Sequence, residues 1–93
     1  MNRTTADDEL LPRVQPLVMN EDHMTRTERE ALVLAPSLAV DDVVWVHAFG
    51  ARRRGLVVKL TKTRAEVAYI TASNPGLVRR ATVRQSEVWV SSR

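Results

Sequence analysis

Between residues 40 and 90 the chain repeats one pattern: short β-branched or aromatic runs separated by turn-forming clusters at intervals of about ten residues. The runs cover residues 43–49, 56–60, 66–71, 77–83 and 87–90. A basic turn is expected over residues 50–54, with Gly55 opening the next strand. A polar hairpin turn is expected over 61–64, and a loop over 72–76 that contains Asn74, Pro75 and Gly76. Five short strands at this spacing predict a small closed or nearly closed β-barrel.

Upstream the pattern is different. Thr25 with Glu28, and Thr27 with Glu30, have the capping-box spacing, in which a hydroxyl satisfies an orphan amide and the acid reaches back. A short helix over 26–35 follows, with Ala31, Leu32, Leu34 and Ala35 as its apolar side and Pro36 and Ser37 as its stop. In residues 1–23, Pro12 and Pro16 would interrupt a helix twice, so this segment is expected to be disordered or extended. Its run of Leu10, Leu11, Val14, Leu17, Val18 and Met19 is more apolar than a spacer requires. It suits an extended peptide docking on this domain or another protein, and equally a strand or arm closing its own fold. The expected organisation is an acidic arm over 1–23, a helix over 24–36 and a barrel over 40–93.

Charge follows the same division. Residues 1–40 hold four arginines against seven acids, and residues 41–93 hold ten Lys or Arg against four acids, within a net charge of +3. A basic module of this kind suits phosphates or an acidic protein surface. The 93 residues leave room for one small core. A barrel of this size would gain stability from a helix cap or a homodimer, so a monomer and a homodimer both fit. The apolar runs fall far short of the roughly 20 residues a membrane span needs. Asp7, Asp8 and Glu9 near the start, with no continuous apolar h-region, do not resemble a secretory signal, which makes the cytoplasm the expected compartment.

Asp42, Val44 and Val46, then Gly55, Val57 and Val58, then Val67, Ala68 and Tyr69 resemble the strands of small SH3-like barrels of the KOW and Tudor kind. Members often open with a GDxVxV strand, continue to a GxVxxV strand and end on a short V-x-V strand. The resemblance covers about 50 residues and implies a mainly β fold, a five-stranded SH3-like barrel preceded by one short helix and an extended arm. Asp41 stands where the group usually has glycine, and one Tyr with one Phe does not make the aromatic cage of methyl-lysine readers. The arginine-rich style also resembles short accessory proteins of actinobacteria and their phages. That likeness implies a non-enzymatic protein that binds and modulates a host cytoplasmic protein.

Alternation along a strand puts Val44 and Val46 on one face and Trp45 on the other; the same counting separates Val88 and Val90 from Trp89. In a barrel whose first and last strands pair, the valines point inward and the two indoles lie side by side outside. Two uncovered indoles would form an interface-sized apolar patch, to be covered by the helix over 26–35 or by a partner.

Catalytic patterns are missing from the sequence. No carboxylate pair flanks a histidine at a recognisable spacing, and no glycine-rich phosphate loop or nucleophile elbow occurs. With no cysteine and with His23 and His47 far apart, neither a metal nor another cofactor is expected. Binding remains, in two forms. For protein recognition the expected anchors are Trp45 and Trp89, with Leu10, Leu11, Leu17 and Val18 as the arm. For nucleic acid the expected phosphate contacts are Arg52, Arg53, Arg54, Lys59, Lys62, Arg64, Arg79, Arg80 and Arg84, provided they converge on one side. Phe49, Tyr69 and the two tryptophans are the aromatics available for stacking.

Overall fold

The computed structural model describes residues 7–18 and 24–92. Six antiparallel strands form one sheet: β1 (Leu32–Leu34), β2 (Val43–Ala48), β3 (Ala51–Leu60), β4 (Arg64–Thr71), β5 (Asn74–Arg84) and β6 (Trp89–Ser91), in the spatial order β1-β6-β2-β3-β4-β5. The chain is mainly β, as its β-branched runs predict, with six strands rather than five. Among the described residues no helix is long and apolar enough to cross a membrane.

The sheet buries both faces. On one, Val44, Val46, Val57, Ala65, Val67 and Val88 form a core, with Val83 and Val90 packed against it. On the other, Leu56, Ala68, Ile70 and Val78 form a second core with Leu10 and Val14. Neighbours such as Leu56 and Val57, or Val67 and Ala68, thus serve opposite cores, which is the period-two geometry of a pleated strand. Gly55 allows β3 and β4 to approach closely here. A methyl group on it would fall on the Ala68 carbonyl oxygen and within 2.8 Å of Val67 Cγ1.

The expected disordered or extended arm is corrected by the second core. Asp7–Val14 is an α-helix, α1, and Gln15–Leu17 a single 3₁₀ turn. Leu10 and Val14, one helical turn apart, are fully buried against β4 and β5, with Leu11 and Leu17 packed beside them. Pro12 lies inside α1 and removes one backbone hydrogen bond. Burying two apolar side chains, at about 1.5–3 kcal/mol each, offsets that loss, a tertiary gain invisible in the local sequence. Arg13 reaches Asp41 at 2.8 Å, and Asp7 reaches Arg80 at 2.9 Å. Met19, Glu21, Asp22 and His23 lie outside the described residues.

The helix expected over 26–35 is also corrected. Its predicted start is present: Thr25 Oγ1 accepts from the Glu28 amide at 3.1 Å, and Glu28 Oε1 accepts from the Thr25 amide at 3.0 Å. The helix, α2, spans only Arg26–Glu30. After Ala31 the chain extends, because Leu32, Val33 and Leu34 find the backbone of β6 to pair with. An apolar run this short fits helix or strand equally, and the partner strand decides. The expected basic turn is a correction of the same kind. Arg52, Arg53 and Arg54 belong to β3, and the reversal is made by Phe49 and Gly50 alone.

Asp41 carries a φ of +80°, the left-handed backbone that glycine adopts freely. An aspartate tolerates it better than most residues, and here its carboxylate also holds Arg13.

Candidate functional site

The expected placement of the tryptophans relative to the valines holds. Val44, Val46 and Val88 are fully buried in one core, while Trp45 and Trp89 face each other across β2 and β6 on the opposite side of the strands. Exposure differs from an open docking patch. Trp45 is only 5% exposed. It shares a small cleft with Met24, Glu28, Ala31, Leu32 and Arg54, so the segment around α2 covers it from within the chain. Trp89 is half-buried. Arg54 and Arg52 lie over the two indoles, at 5.9 Å from Trp45 and 4.7 Å from Trp89. Arg54 also donates from Nε to the Leu17 carbonyl at 3.0 Å, tying the end of the α1 segment to β3. Of the six anchor residues expected for a protein partner, Leu10 and Trp45 are buried in the fold, and Leu11, Leu17 and Trp89 are partly so. Val18 is exposed.

The nine basic residues do not form one patch; β3 and β5 distribute them. Arg52 and Arg54 lie on the tryptophan side. Arg80 is neutralised by Glu66 and Asp7, each at 2.9 Å. The hydrogen bonds that Arg80 donates to the Asp7 and then the Glu66 carboxylate hold its guanidinium above its ordinary pKa, so it stays charged. Lys59, Lys62, Arg64 and Arg84 gather at the β3–β4 hairpin and the end of β5, with Arg64 opposite Arg84. That end lies roughly 23 Å from Arg53, for seven residues at about 3.3 Å each.

Arg53 and Arg79 remain, and they converge. Arg53 stands opposite Val46 on β2, and Arg79 opposite Tyr69 on β4, which puts both on the face of the Val44 and Val67 core. Both guanidiniums reach the same ring. Arg79 lies 4.4 Å and Arg53 5.7 Å from the centroid of Phe49. Arg53 is fixed by its own turn, donating from Nε to the Ala48 carbonyl and from Nη2 to the Phe49 carbonyl, each at 3.0 Å. Arg79 Nε is buried without a hydrogen-bond partner. Among the described residues no carboxylate pairs with either arginine.

The aromatic at the centre of this cluster is, among the described residues, the most exposed of the large apolar side chains, at 62%. Its backbone is unusual as well. Phe49 has φ +53° and Gly50 φ +81°, the type I′ pattern of a two-residue hairpin turn between Ala48 and Ala51. Asparagine, aspartate or glycine normally fills the first of these positions; a bulky residue there costs on the order of 1–2 kcal/mol. Sequence reasoning missed the centrality of Phe49 by reading it as the last residue of a strand. The available signal was the Phe-Gly pair, which breaks the alternation of Val43 to Ala48 where a tight turn must fall.

Groups of three or more His, Cys, Asp or Glu able to hold a metal are absent among the described residues. No protein-family model, curated protein sequence or solved structure matches the chain.

Proposed function

We propose that this protein is a non-enzymatic module that binds nucleic acid by its phosphates, with Arg53 and Arg79 as the principal contacts. One observation carries the reading: two arginines from distant strands meet at one exposed ring, without a carboxylate partner among the described residues. Arg54 and Arg52 lie over indoles and Arg80 and Arg13 pair with acids, while Arg64 and Arg84 stand at the far end of the sheet with no ring between them among the described residues. A guanidinium held by an aromatic face keeps its full charge and most of its donors for an anion. Arg52, Lys59, Lys62, Arg64 and Arg84 would then add long-range attraction rather than a second seat.

The test is binding of a labelled DNA oligonucleotide followed against salt concentration. Affinity should fall steeply with salt. The double variant Arg53→Ala/Arg79→Ala should weaken binding and flatten the log–log salt slope by about 1.5, whereas Lys62→Ala/Arg84→Ala should flatten it less. Equal effects from the two pairs would show that charge alone, without a site, accounts for retention.

A second reading is favoured by a separate observation. Leu34 on the edge strand β1 is 57% exposed and stands in register with half-buried Trp89. In that reading the protein is an accessory protein of phage type whose β1 edge and Trp89 engage a host cytoplasmic protein. A saturable protein partner whose capture survives Arg53→Ala/Arg79→Ala and fails with Leu34→Lys would favour it over nucleic acid.

A further inference from the structure

We infer that Phe49 is a stacking seat for an unpaired base, so that the nucleic acid this site takes is single-stranded. The inference rests on the phosphate-binding reading above and specifies its ligand. Three features of the β2–β3 turn support it. Phe49 occupies a left-handed turn position that bulky residues avoid, at φ +53°, and there it projects a 62% exposed ring that no core requires. Strain of this kind persists where surrounding structure enforces it, and it gathers at ligand-binding positions. Second, the ring is held in place by the very side chains that would take the phosphates. The Arg53 bonds to the carbonyls of Ala48 and Phe49 fix the guanidinium relative to the turn, and Arg79 rests 4.4 Å from the ring centroid. Third, Arg79 Nε is buried without a hydrogen-bond partner, and the contact its guanidinium makes is with the ring, at 4.4 Å from the centroid.

A single strand suits this constellation better than a duplex. Bases in a duplex are stacked on one another and present edges to the grooves, while phosphates cover the outside. A protruding ring flanked by cations would meet phosphates there and find no base face. An unpaired base lays its face on a phenyl ring or a guanidinium plane, and its two flanking phosphates fall within reach of the guanidiniums that lie against the ring. Because every base has such a face, the seat accepts any base, with little sequence preference.

The experiment compares three labelled ligands of equal length by fluorescence anisotropy at low salt: an oligodeoxythymidine, an abasic deoxyribose-phosphate oligomer and a mixed-sequence duplex. Expected is about ten-fold tighter binding of the oligodeoxythymidine than of the abasic strand, from stacking of one base. Phe49→Ala should bring the two to the same affinity with the salt slope unchanged, and Phe49→Trp should keep the preference. Arg53→Ala/Arg79→Ala should weaken both strands alike. The comparison between ligands uses the unaltered protein, so it decides even if a variant fails to fold. Equal affinity for the base-bearing and abasic strands, or tighter binding of the duplex, overturns the stacking seat and leaves phosphate binding standing. Absence of saturable binding to all three ligands overturns both, and the second, protein-binding reading takes their place.

Discussion

Trp45 inside β2 and Phe49 in the turn that follows it, four residues apart, are both aromatic rings with arginine over them, and the fold uses them in opposite ways. Trp45 is 5% exposed, covered by the α2 segment and by Arg54, whose Nε is committed to the Leu17 carbonyl. Phe49 is 62% exposed and gathers two arginines that have no carboxylate partner among the described residues. The same pair of chemical groups closes the structure in one place, and in the other leaves the ring exposed above two half-buried arginines. An arginine lying on an aromatic therefore says little about function until its surroundings are known: covered, it is packing, and uncovered, it is a prepared cationic surface.

Substitution at Trp45 should produce the largest effect. Trp45→Ala is expected to cost about 3–5 kcal/mol in urea unfolding, since it empties a buried site between the sheet and α2. A loss below about 1 kcal/mol would mean that the ring is not needed for cover, and the contrast with Phe49 would collapse. Leu10→Ala comes next, at about 2–5 kcal/mol, while Val18→Ser at the exposed end of the same segment should change stability by less than about 0.5 kcal/mol. If the two substitutions proved equally mild, α1 would not be part of the folded core.

Phe49→Asn should leave stability within about 1 kcal/mol of the natural chain. Relief of the positive φ works against the loss of two cation–π contacts of about 0.5–1 kcal/mol each. The same substitution should remove the preference for single strands, so stability and binding separate at this residue, whereas at Trp45 they would fall together.

The smallest effect belongs to the capping box. Hydrogen bonds from Thr25, its backbone first and its side chain second, together with the Arg54 charge, hold the Glu28 carboxyl below its ordinary value of 4.5. Because the folded value is the depressed one, the ionised carboxylate stabilises the fold above the unfolded value, and that contribution fades as pH falls through the folded value. Glu28→Gln should therefore lower the urea midpoint slightly at pH 7 and leave it nearly unchanged near pH 3. A difference that grows on acidification would contradict the assignment.

Much of the fold was legible in sequence wherever a local rule and the tertiary outcome agreed. The alternation of Val43 to His47 separated buried valines from Trp45, and Thr25 with Glu28 marked the start of α2. The rules failed where a distant partner decided. Pro12 argues against a helix until Leu10 and Val14 have a sheet to cover. Leu32 to Leu34 fit a helix until β6 offers its backbone. The candidate site was legible only as a supply of arginines, because alternation sends Arg53 to one face and Arg52 and Arg54 to the other, and Arg79 and Arg80 likewise.

Composition and period by themselves determined a small mainly-β chain with a basic half, a buried row of valines and an indole on the far side of each valine pair. Tertiary structure alone decided which cations were neutralised and which were left open. Whether an arginine meets a carboxylate, an indole or an exposed phenyl ring depends on strands that are distant in sequence and adjacent in space. Arg80 meets Asp7 from α1, and Arg79 meets Phe49 from the β2–β3 turn.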